Sequence, residues 1–394
     1  MNAEAFRDST AGRLVRGTGG YWAFVPNPLP PEVAWTQELV KRLADASLAL
    51  GELSGLGRSL PNPHLLIRPY VRREAVLSSR IEGTRSTLSD LYAFEAQQLA
   101  MFEDTQDVQE VANYVNALEH GLERLQTLSM SLRLIREVHG QLMAGVRGED
   151  KTPGEFRKSQ NWIGGANPTD AVFVPPPVQE MWEALGAFEE FLHAPSTLPP
   201  LIRLGLVHYQ FEAIHPFLDG NGRIGRLLMT LLACAWDLLP APLLYLSAYF
   251  EANREAYYDR LLAVSQRGAW EEWLSFFLHG IAHQAGDAVQ RARILQDERE
   301  RLRAQLMGER TGARLLPLVE LLFSRPVINA RQAADALGVQ FATAQGYIED
   351  LEQAGVLREA TGQARNRVYV ADRVLRILEA PSAAEMETEG GGQG

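Results

Sequence analysis

Apolar and polar residues alternate with a helical period over most of the chain. Apolar positions recur every three or four residues in four long stretches: 35–50, 69–82, 106–146 and most of 178–310. The segment SGLGRSLPNP (54–63) is expected to end the first helix, and Gly83 is expected to cap the end of the second. Thr87 and Asp90 have the spacing of a capping box, which predicts that another helix begins there.

Two regions have strand-like patterns instead. Residues 160–175 contain two short β-leaning runs on either side of the turn sequence ANPTD, which predicts a small hairpin. After residue 311 the expected order is a helix, a second helix, a turn at Gly338, a third helix and two short strands. A helix–turn–helix followed by a hairpin is typical of a winged helix. The predicted fold class is therefore mainly α, with a small β-hairpin and a C-terminal winged helix.

The chain is too long for one compact core, so two or three domains are expected in its 394 residues. The predicted parts are an N-terminal helical region (1–104), a helical core (105–285), a connector helix (286–310), a winged-helix-like domain (311–375) and a disordered tail (376–394). The connector is heavily charged and is expected to be solvated. The end of the tail has low complexity, which is typical of disorder.

Charge and composition argue against several classes of protein. The net charge of −11 disfavours a general affinity for nucleic acid or for an anionic membrane. The most apolar stretch, residues 227–250, is interrupted by Asp237 and Pro240, so no membrane span is expected. The N-terminus lacks the apolar segment of a signal peptide, and the single cysteine, Cys234, is expected to be a buried, inert thiol. These features predict a cytoplasmic protein.

A short polar stretch, HPFLDGNGRIGR (215–226), precedes an apolar helix. Gly220, Asn221 and Gly222 are expected at the N-terminus of that helix, where backbone N–H groups have no partner. Such a place binds anions, and glycine lets the backbone come close to a phosphate. The stretch therefore predicts a site for a polyphosphate.

Charged side chains of the same stretch extend this prediction. Arg223 and Arg226 are three residues apart, so they share a helix face and can both reach a polyphosphate. Asp219 would repel phosphate unless a divalent cation lay between them, which predicts Mg²⁺. His215 can accept a proton near neutral pH, which makes it a candidate general base.

The stretch resembles the signature of the Fic (Fido) family, His-x-Phe-x-(Asp/Glu)-Gly-Asn-Gly-Arg-x-x-Arg, at every defined position. The resemblance implies a Fic-type helical core and a protein adenylyltransferase, which transfers AMP from ATP to a Ser, Thr or Tyr hydroxyl of a target protein and of itself. It implies that His215 is the base, that Phe217 packs into the core and that Asp219 holds Mg²⁺. The nucleotide site would include Ile224 and Gly225 together with the glycines, asparagine and arginines of the motif.

The hairpin predicted at 160–175 resembles the flap of this family, which holds the target by main-chain pairing. The implied docking residues are Asn161, Trp162, Ile163, Gly164, Val172, Phe173 and Val174. The alternative interpretation is an ordinary hairpin at the edge of the domain.

A tyrosine pair resembles the segment that closes the adenine end of the pocket in this family. Tyr258 is the favoured contact with the adenine ring, and Tyr257 is the alternative; core packing is an equally open role for both. Ser265 stands where some relatives have asparagine. His208 is expected to be structural, because no further His or Cys has metal-ligand spacing nearby.

An upstream stretch, SSRIEG (78–83), places Ser78 and Glu82 on one face of a helix expected at about 69–83. A solvated helix face is the ordinary interpretation of such a pair. The stretch also resembles the Fic inhibitory motif, (Ser/Thr)-x-x-x-Glu-(Gly/Asn), in which Gly83 is the last position. The resemblance implies that Glu82 pairs with Arg226 and displaces the γ-phosphate, so that the enzyme inhibits itself.

The C-terminal part leaves a second function open. Residues 311–371 contain six arginines and six acidic residues, and the expected recognition helix carries Glu349, Asp350 and Glu352, a charge bias opposite to that of a DNA-reading helix. Arg365 and Arg367 could still contact phosphates. Protein interaction or homodimerisation is therefore favoured over DNA binding. A transcription regulator that senses a nucleotide is the alternative function, although a sensor has no need of a base at position 215.

Overall fold

The structure is a computed structural model, and it describes residues 1–59, 64–96, 105–307, 312–363 and 365–380. The helices of the first half are α1 (Gln37–Ser59), α2 (His64–Ile81), α3 (Leu88–Glu95), α4 (Gln106–Arg124), α5 (Leu132–Leu142), α6 (Val178–His193) and α7 (Pro200–Ile214). Those of the second half are α8 (Asn221–Ala235), α9 (Ser247–Ala252), α10 (Arg254–Arg267), α11 (Trp270–Met307), α12 (Gly312–Ser324), α13 (Ala330–Leu337), α14 (Phe341–Gln353) and α15 (Asp372–Glu379). The strands are β1 (Gly12–Arg16), β2 (Trp22–Pro26), β3 (Val327–Asn329), β4 (Arg358–Glu359) and β5 (Val368–Val370). The expectation of a mainly α fold is confirmed.

The first helices differ from the sequence expectation at their ends. Helix α1 continues to Ser59, so SGLGRS does not break it. Gly57 allows close packing, because a Cβ there would lie 2.7 Å from Leu243 Cδ1. Helix α2 begins at His64, and Pro69 lies inside it. The capping box of Thr87 and Asp90 at the start of α3 is confirmed.

A hairpin that the sequence did not predict lies near the N-terminus. Strands β1 and β2 are antiparallel, with Leu14 opposite Phe24. The amide of Phe24 donates to the carbonyl of Val174 at 2.9 Å. The Phe24 ring packs against Phe6 and Phe173, with ring centroids 5.7 and 5.9 Å away. The hairpin is thereby joined to the segment 160–175.

The hairpin predicted at 160–175 is present with very short pairing, and most of the segment is irregular. Within this fully described segment, a single bridge pairs Ile163 with Phe173. Gly164 and Gly165 have positive φ angles, and three prolines follow from residue 175. Proline has no N–H to donate, so a ladder cannot extend in that direction. We call residues 160–175 the flap segment.

Helix α11 corrects the expectation of a solvated connector at 286–310. The helix is continuous from Trp270 to Met307, and apolar residues of its second half are buried, including Ala292, Leu295 and Leu302. These residues belong to a core that α11 shares with α1, α12 and α15. Most of the charged residues lie on the opposite face, although Arg291 and Glu298 are buried, so the segment is amphipathic rather than solvated all round.

The C-terminal elements follow the predicted order of helix, turn, helix and hairpin. Gly338, with φ +64°, joins α13 to α14, and the antiparallel sheet has the order β3–β5–β4. This part contacts α3, since Asn329 Nδ2 donates to Ala96 O at 3.0 Å. Residues 376–379, expected in a disordered tail, end α15, because Val374, Leu375 and Leu378 are buried. The remainder of the expected tail, 381–394, lies outside the described residues.

Two further expectations concern membranes and the thiol. In the described ranges, no helix combines the length and the apolar character that a membrane span requires. Cys234 is only half-buried, but burial raises the pKa of its thiol to about 12, so the thiol stays protonated and inert.

Candidate active site

The loop between α7 and α8, residues 215–220, has a residue in left-handed conformation at each end. His215 ends α7 with φ +50°, and Gly220 begins α8 with φ +75°. Phe217 is fully buried between them and stacks on His139, with ring centroids 3.7 Å apart. A Cβ on Gly220 would lie 2.8 Å from Met143 Sδ, so only glycine fits there. We call residues 215–220 the motif loop.

The tautomer of His215 follows from its one hydrogen bond in the loop. Its Nδ1 lies 3.2 Å from the carbonyl oxygen of Glu212. A carbonyl can only accept, so Nδ1 carries the proton and Nε2 keeps a free lone pair. Burial, the largest effect, lowers the pKa of His215 to about 4. The ring is therefore a neutral proton acceptor at pH 7.

The N-terminus of α8 has the features expected of an anion site. Its N-cap, Gly220, makes no side-chain cap hydrogen bond, so the first N–H groups of the helix remain available. The side chain of Asn221 has a different role from the backbone beside it. It accepts from Phe217 N and donates to Phe217 O, both at 2.9 Å. Asn221 thus holds the motif loop, and only its backbone can serve an anion.

The two motif arginines are buried and each faces a carboxylate. The Arg226 side chain is 1% exposed, and its Nη2 donates to Glu82 Oε1 at 2.6 Å. Its Nε donates to Ser78 Oγ at 2.9 Å, and Nη2 also reaches Ser78 O at 3.0 Å. Arg223 Nη1 lies 3.2 Å from Glu110 Oε2, while its Nε has no partner among the described residues. A buried, unpaired guanidinium N–H favours binding of an anion.

Glu82 lies inside the anion site. Its Oε1 is 2.3 Å from the position that a Cβ of Gly222 would take. Burial alone would raise the pKa of Glu82, but the charges and hydrogen bond of Arg226 and the charge of Arg223 outweigh it, so the pKa is lowered. Gly83, with φ +104°, follows directly and ends the helical path. The ionised carboxylate therefore lies against Gly222 at the start of α8.

Asp219 fits a role as a magnesium ligand. Its side chain is 47% exposed beside the first turn of α8, and Oδ1 lies 3.8 Å from Arg223 Nη2. Within the described residues, no cluster of three or more His, Cys, Asp or Glu side chains could form a complete metal site. Mg²⁺ commonly takes one carboxylate from the protein and its other ligands from phosphates and water. One carboxylate beside an anion site matches that pattern.

The tyrosine pair is divided between core and surface. Tyr257 is buried, stacks on Phe250 at 4.4 Å and shares a 2.9 Å hydrogen bond with His208 Nε2. Its ring is therefore not available to adenine, whereas Tyr258 is 41% exposed. Ser265 is buried against Tyr209 OH at 2.9 Å, so it does not replace the asparagine of relatives.

His208 has a structural environment, as expected. Its Nδ1 lies 3.2 Å from the carbonyl of Gly225, which fixes the helix that carries the arginines. Burial lowers the pKa of His208 to about 3, so the ring is neutral.

Ile224, which follows Arg223 in the motif, is buried in the core. A Cβ on Gly225 would lie 2.2 Å from Glu212 Oε1, so a larger residue there would displace the Glu212 carboxylate.

The flap segment presents fewer residues than the sequence suggested. Trp162, Ile163 and Val172 are exposed, and Gly164 adopts φ +68° at the turn. The buried members of the expected docking set are Asn161, Phe173 and Val174. These three side chains pack inward and hold the flap on the core, while a role of their main chain in docking the target stays a prediction.

Three residues of the site were missed by sequence reasoning. His139 accepts from Gly154 N at 2.8 Å through Nδ1 and lies 3.1 Å from Asp219 O through Nε2, so it supports the motif loop. Glu110 faces Arg223, and Arg157 is buried beside His215 O. A polar residue on an otherwise apolar helix face could have pointed to His139 and to Glu110. The sequence carries no such signal for Arg157.

Fold and site together define a helical protein with an anion-binding helix N-terminus beside a neutral histidine. Comparison with known families is consistent with this class: residues 40–123 match the model of the Fic/DOC family N-terminal region, and residues 128–233 match that of the Fic/DOC family. The chain therefore contains both regions that define the Fic/DOC family, at residues 40–123 and 128–233.

Individual relatives agree with that assignment. The chain is 31% identical over 151 residues to the protein adenylyltransferase Fic of Drosophila erecta, a match that covers 38% of this chain and 28% of that protein. The match to the corresponding Drosophila melanogaster protein is 30% identical over the same length. The chain thus spans about 28% of the length of these curated relatives.

Solved structures share the fold. A Fic family protein from Desulfovibrio desulfuricans aligns with a TM-score of 0.56 and 20% identity over 87% of this chain and 98% of that one. The Fic-1 protein of C. elegans aligns with a TM-score of 0.52 and 21% identity over 66% of this chain and 74% of that one. The similarity to the first extends over most of both chains.

Proposed function

We propose that the protein is a protein adenylyltransferase that transfers AMP from ATP to a hydroxyl group of a target protein and of itself. The observation that carries the proposal is the neutral His215, with Nε2 free, next to a helix N-terminus and two buried arginines. Phosphoryl-type transfer depends mainly on positioning and on charge stabilisation, and the site offers both.

The proposed reaction uses one proton acceptor. The hydroxyl proton passes to His215 Nε2 as the hydroxyl oxygen bonds to the α-phosphorus of ATP. The bond from that phosphorus to the oxygen bridging to the β-phosphate breaks, and pyrophosphate leaves. Backbone N–H groups at the N-terminus of α8 bind phosphate oxygens, and Arg223 and Arg226 neutralise the leaving group. Asp219 would hold Mg²⁺, which would supply further stabilisation of phosphate charge.

We also propose that Glu82 inhibits the enzyme. Arg226 cannot pair with Glu82 at 2.6 Å and with a γ-phosphate through the same Nη2 at once. The carboxylate, moreover, lies against Gly222, where a phosphate oxygen would approach the backbone. Exposed Trp162, Ile163 and Val172 on the flap segment are the proposed contacts with the target, and Tyr258 is the proposed contact with adenine.

The experiment compares two labels in one variant. Glu82→Gly protein is incubated with Mg²⁺ and ATP labelled at either the α- or the γ-phosphate, and covalent label on the protein is measured. Label from the α-phosphate alone, absent from Glu82→Gly/His215→Ala protein, is the expected result. Label from the γ-phosphate would contradict AMP transfer, and equal labelling of wild-type and Glu82→Gly protein would contradict inhibition by Glu82.

A second candidate function concerns the C-terminal part, which could bind DNA in a transcription regulator. The first three residues of α14, Phe341 to Thr343, are exposed and uncharged, and the acidic Asp350 is paired with Arg314 at 2.7 Å. The first turn of α14 therefore carries no negative charge, and one acidic residue further along is neutralised, so the charge of the helix argues less strongly against DNA binding. Fluorescence anisotropy of the full chain with a random duplex tests it: affinity that falls steeply with salt supports DNA binding, and no affinity at low salt contradicts it.

A further inference from the structure

Arg157 is a fully buried arginine with no carboxylate partner among the described residues. Its guanidinium donates only to main-chain carbonyls: Nε to His215 O at 3.0 Å, Nη1 to Ser159 O at 3.2 Å and Nη2 to Pro176 O. Burial lowers its pKa to about 10. Burial of a cation without a counter-ion costs free energy, so a protein retains such a group where its hydrogen bonds hold another segment in place.

The carbonyl of His215 receives a second donor. Asn161 Nδ2 donates to His215 O at 3.1 Å and to Phe217 O at 2.7 Å. Together with Arg157 Nε, it fixes the peptide plane that follows His215. His215 has φ +50°, a conformation that a residue with a Cβ adopts only when its surroundings enforce it. The two donors supply that enforcement and thereby set the direction of the imidazole.

The remaining bonds of Arg157 reach both ends of the flap segment. Ser159 precedes the segment and Pro176 follows it, so one rigid guanidinium joins the two ends to each other. The amide of Arg157 also donates to Pro216 O at 2.9 Å. Flap and motif loop are therefore tied through one side chain, whose planar donor fork tolerates little change in angle.

We propose that Arg157 is a positioning residue that couples the flap to His215, so that the place of a docked target and the direction of the base are set together. Asn161 assists it at the same carbonyl. The proposal rests on the proposed function, because it assigns His215 the role of base. Neither residue touches the anion site, so their loss acts on transfer and not on ATP affinity.

The test uses Arg157→Lys in the Glu82→Gly background, which keeps the charge but loses the fork. The expected result is a fall in kcat for self-modification of about 100-fold, the size of effect that a misplacement of about 1 Å produces, with the Kd for ATP within about twofold of the parent by the same reasoning. Arg203→Lys is the matched control. Arg203 also donates to three carbonyls, of Phe191, Leu192 and Ala194, but at the end of α6. It is expected to keep the parental kcat.

A second readout does not depend on transfer. The His215 imidazole is titrated by NMR in Glu82→Gly protein with and without Arg157→Lys. Since the charge is kept, a rise of its pKa towards the ordinary value reports a moved ring. This readout decides the proposal even if the Glu82→Gly parent transfers nothing, an outcome that would refute the adenylyltransferase function instead.

Two outcomes would overturn the proposal. One is Arg157→Lys protein with parental kcat and an unchanged His215 titration. The other is an equal loss of transfer, ATP binding and thermal stability in Arg157→Lys and Arg203→Lys, which would mean a purely structural role. If Arg157→Lys protein does not fold, Asn161→Ala takes its place, with a smaller loss of kcat expected in the same direction and an unchanged kcat counting against the coupling.

Discussion

The carboxylate of Glu82 stands where a side chain of residue 222 would begin: its Oε1 is 2.3 Å from the Cβ position of Gly222. The same oxygen accepts from Arg226 Nη2 at 2.6 Å. A carboxylate of the protein itself thus contacts both the glycine turn and the arginine of the candidate anion site. Since a helix N-terminus and a guanidinium both favour negative charge, this contact stabilises α2 in place, and under the proposed function it competes with a nucleotide for the same groups.

Two neighbouring serines on α2 allow a matched test of this contact. Ser78 Oγ accepts from Arg226 Nε at 2.9 Å, whereas the buried Ser79 Oγ has no partner in the described part of the chain. Ser78→Ala leaves a buried donor unpaired, which costs about 1–2 kcal/mol in the inhibited state. We expect basal self-modification to rise about 5- to 30-fold. Ser79→Ala is expected to leave the rate unchanged, and equal rates for the two variants would contradict the role of Ser78.

Gly222 is expected to be essential for nucleotide binding even when Glu82 is absent. In Glu82→Gly protein, Gly222→Ala places a methyl group at the first turn of α8, where a phosphate oxygen would approach. A crowded contact of this kind costs about 1–3 kcal/mol, so the affinity for ATP should fall at least about fivefold. Gly186→Ala, within α6 and with open space around its Cβ position, is the control. Calorimetry with ATP measures both; equal affinities would place the phosphates elsewhere.

The motif loop could be predicted from sequence because its chemistry is contiguous. Residues 215–226 carry the candidate base, the candidate metal ligand and the candidate anion site within one loop and one helix start, and local rules for helix N-termini suffice to interpret them. The contact between Glu82 and Arg226 spans 144 residues. Periodicity placed Ser78 and Glu82 on one helix face, but only the family resemblance pointed to their partner.

The supports of the loop could not be predicted for a physical reason. Arg157 pairs with carbonyls, which every residue has, so nothing in the sequence marks its partners. The N-terminal hairpin is stabilised by Phe24 packing on Phe173, a contact between segments far apart in the chain. The second half of α11 looked solvated because its charges are many, although Leu295 and Leu302 on its other face are buried. Each error came from a tertiary contact that local pattern does not encode.

Asp219 is expected to make the reaction dependent on Mg²⁺. Asp219→Asn keeps the size and the hydrogen bond from Gly220 N but removes the charge that a hard cation requires. In the Glu82→Gly background, we expect transfer to fall about 100-fold and to respond little to added Mg²⁺. Asp237→Asn is the control, since Asp237 is exposed at the other end of α8 with φ +59°, a conformation that asparagine also adopts. A Mg²⁺ titration of self-modification measures all three proteins; an unchanged titration in Asp219→Asn would exclude Asp219 as the ligand.

Glu212 is expected to make stability depend on pH near neutrality. Burial raises the pKa of its carboxyl to about 7; Arg226 opposes the rise and Glu82 adds to it. Its Oε1 is buried without a hydrogen-bond partner in the described residues. The folded state therefore binds more protons than the unfolded state between the ordinary value of 4.5 and about 7. Over that interval the free energy of unfolding should fall as pH rises, by about 2–3 kcal/mol.

The substitution Glu212→Gln removes this ionisation while keeping the shape of the side chain. Urea unfolding of both proteins from pH 5 to pH 8 should show a decline for the wild type that is absent in the variant, so that the variant becomes the more stable protein above about pH 7. Glu183→Gln, at an exposed position of α6, removes one charge without a buried carboxyl and should keep the wild-type profile. Because Glu82 raises the pKa of Glu212, Glu82→Gly should shift the decline to lower pH. Identical profiles for wild-type and Glu212→Gln protein would mean that Glu212 remains ionised beside Arg226, in which case Arg226 already faces two carboxylates before any nucleotide arrives.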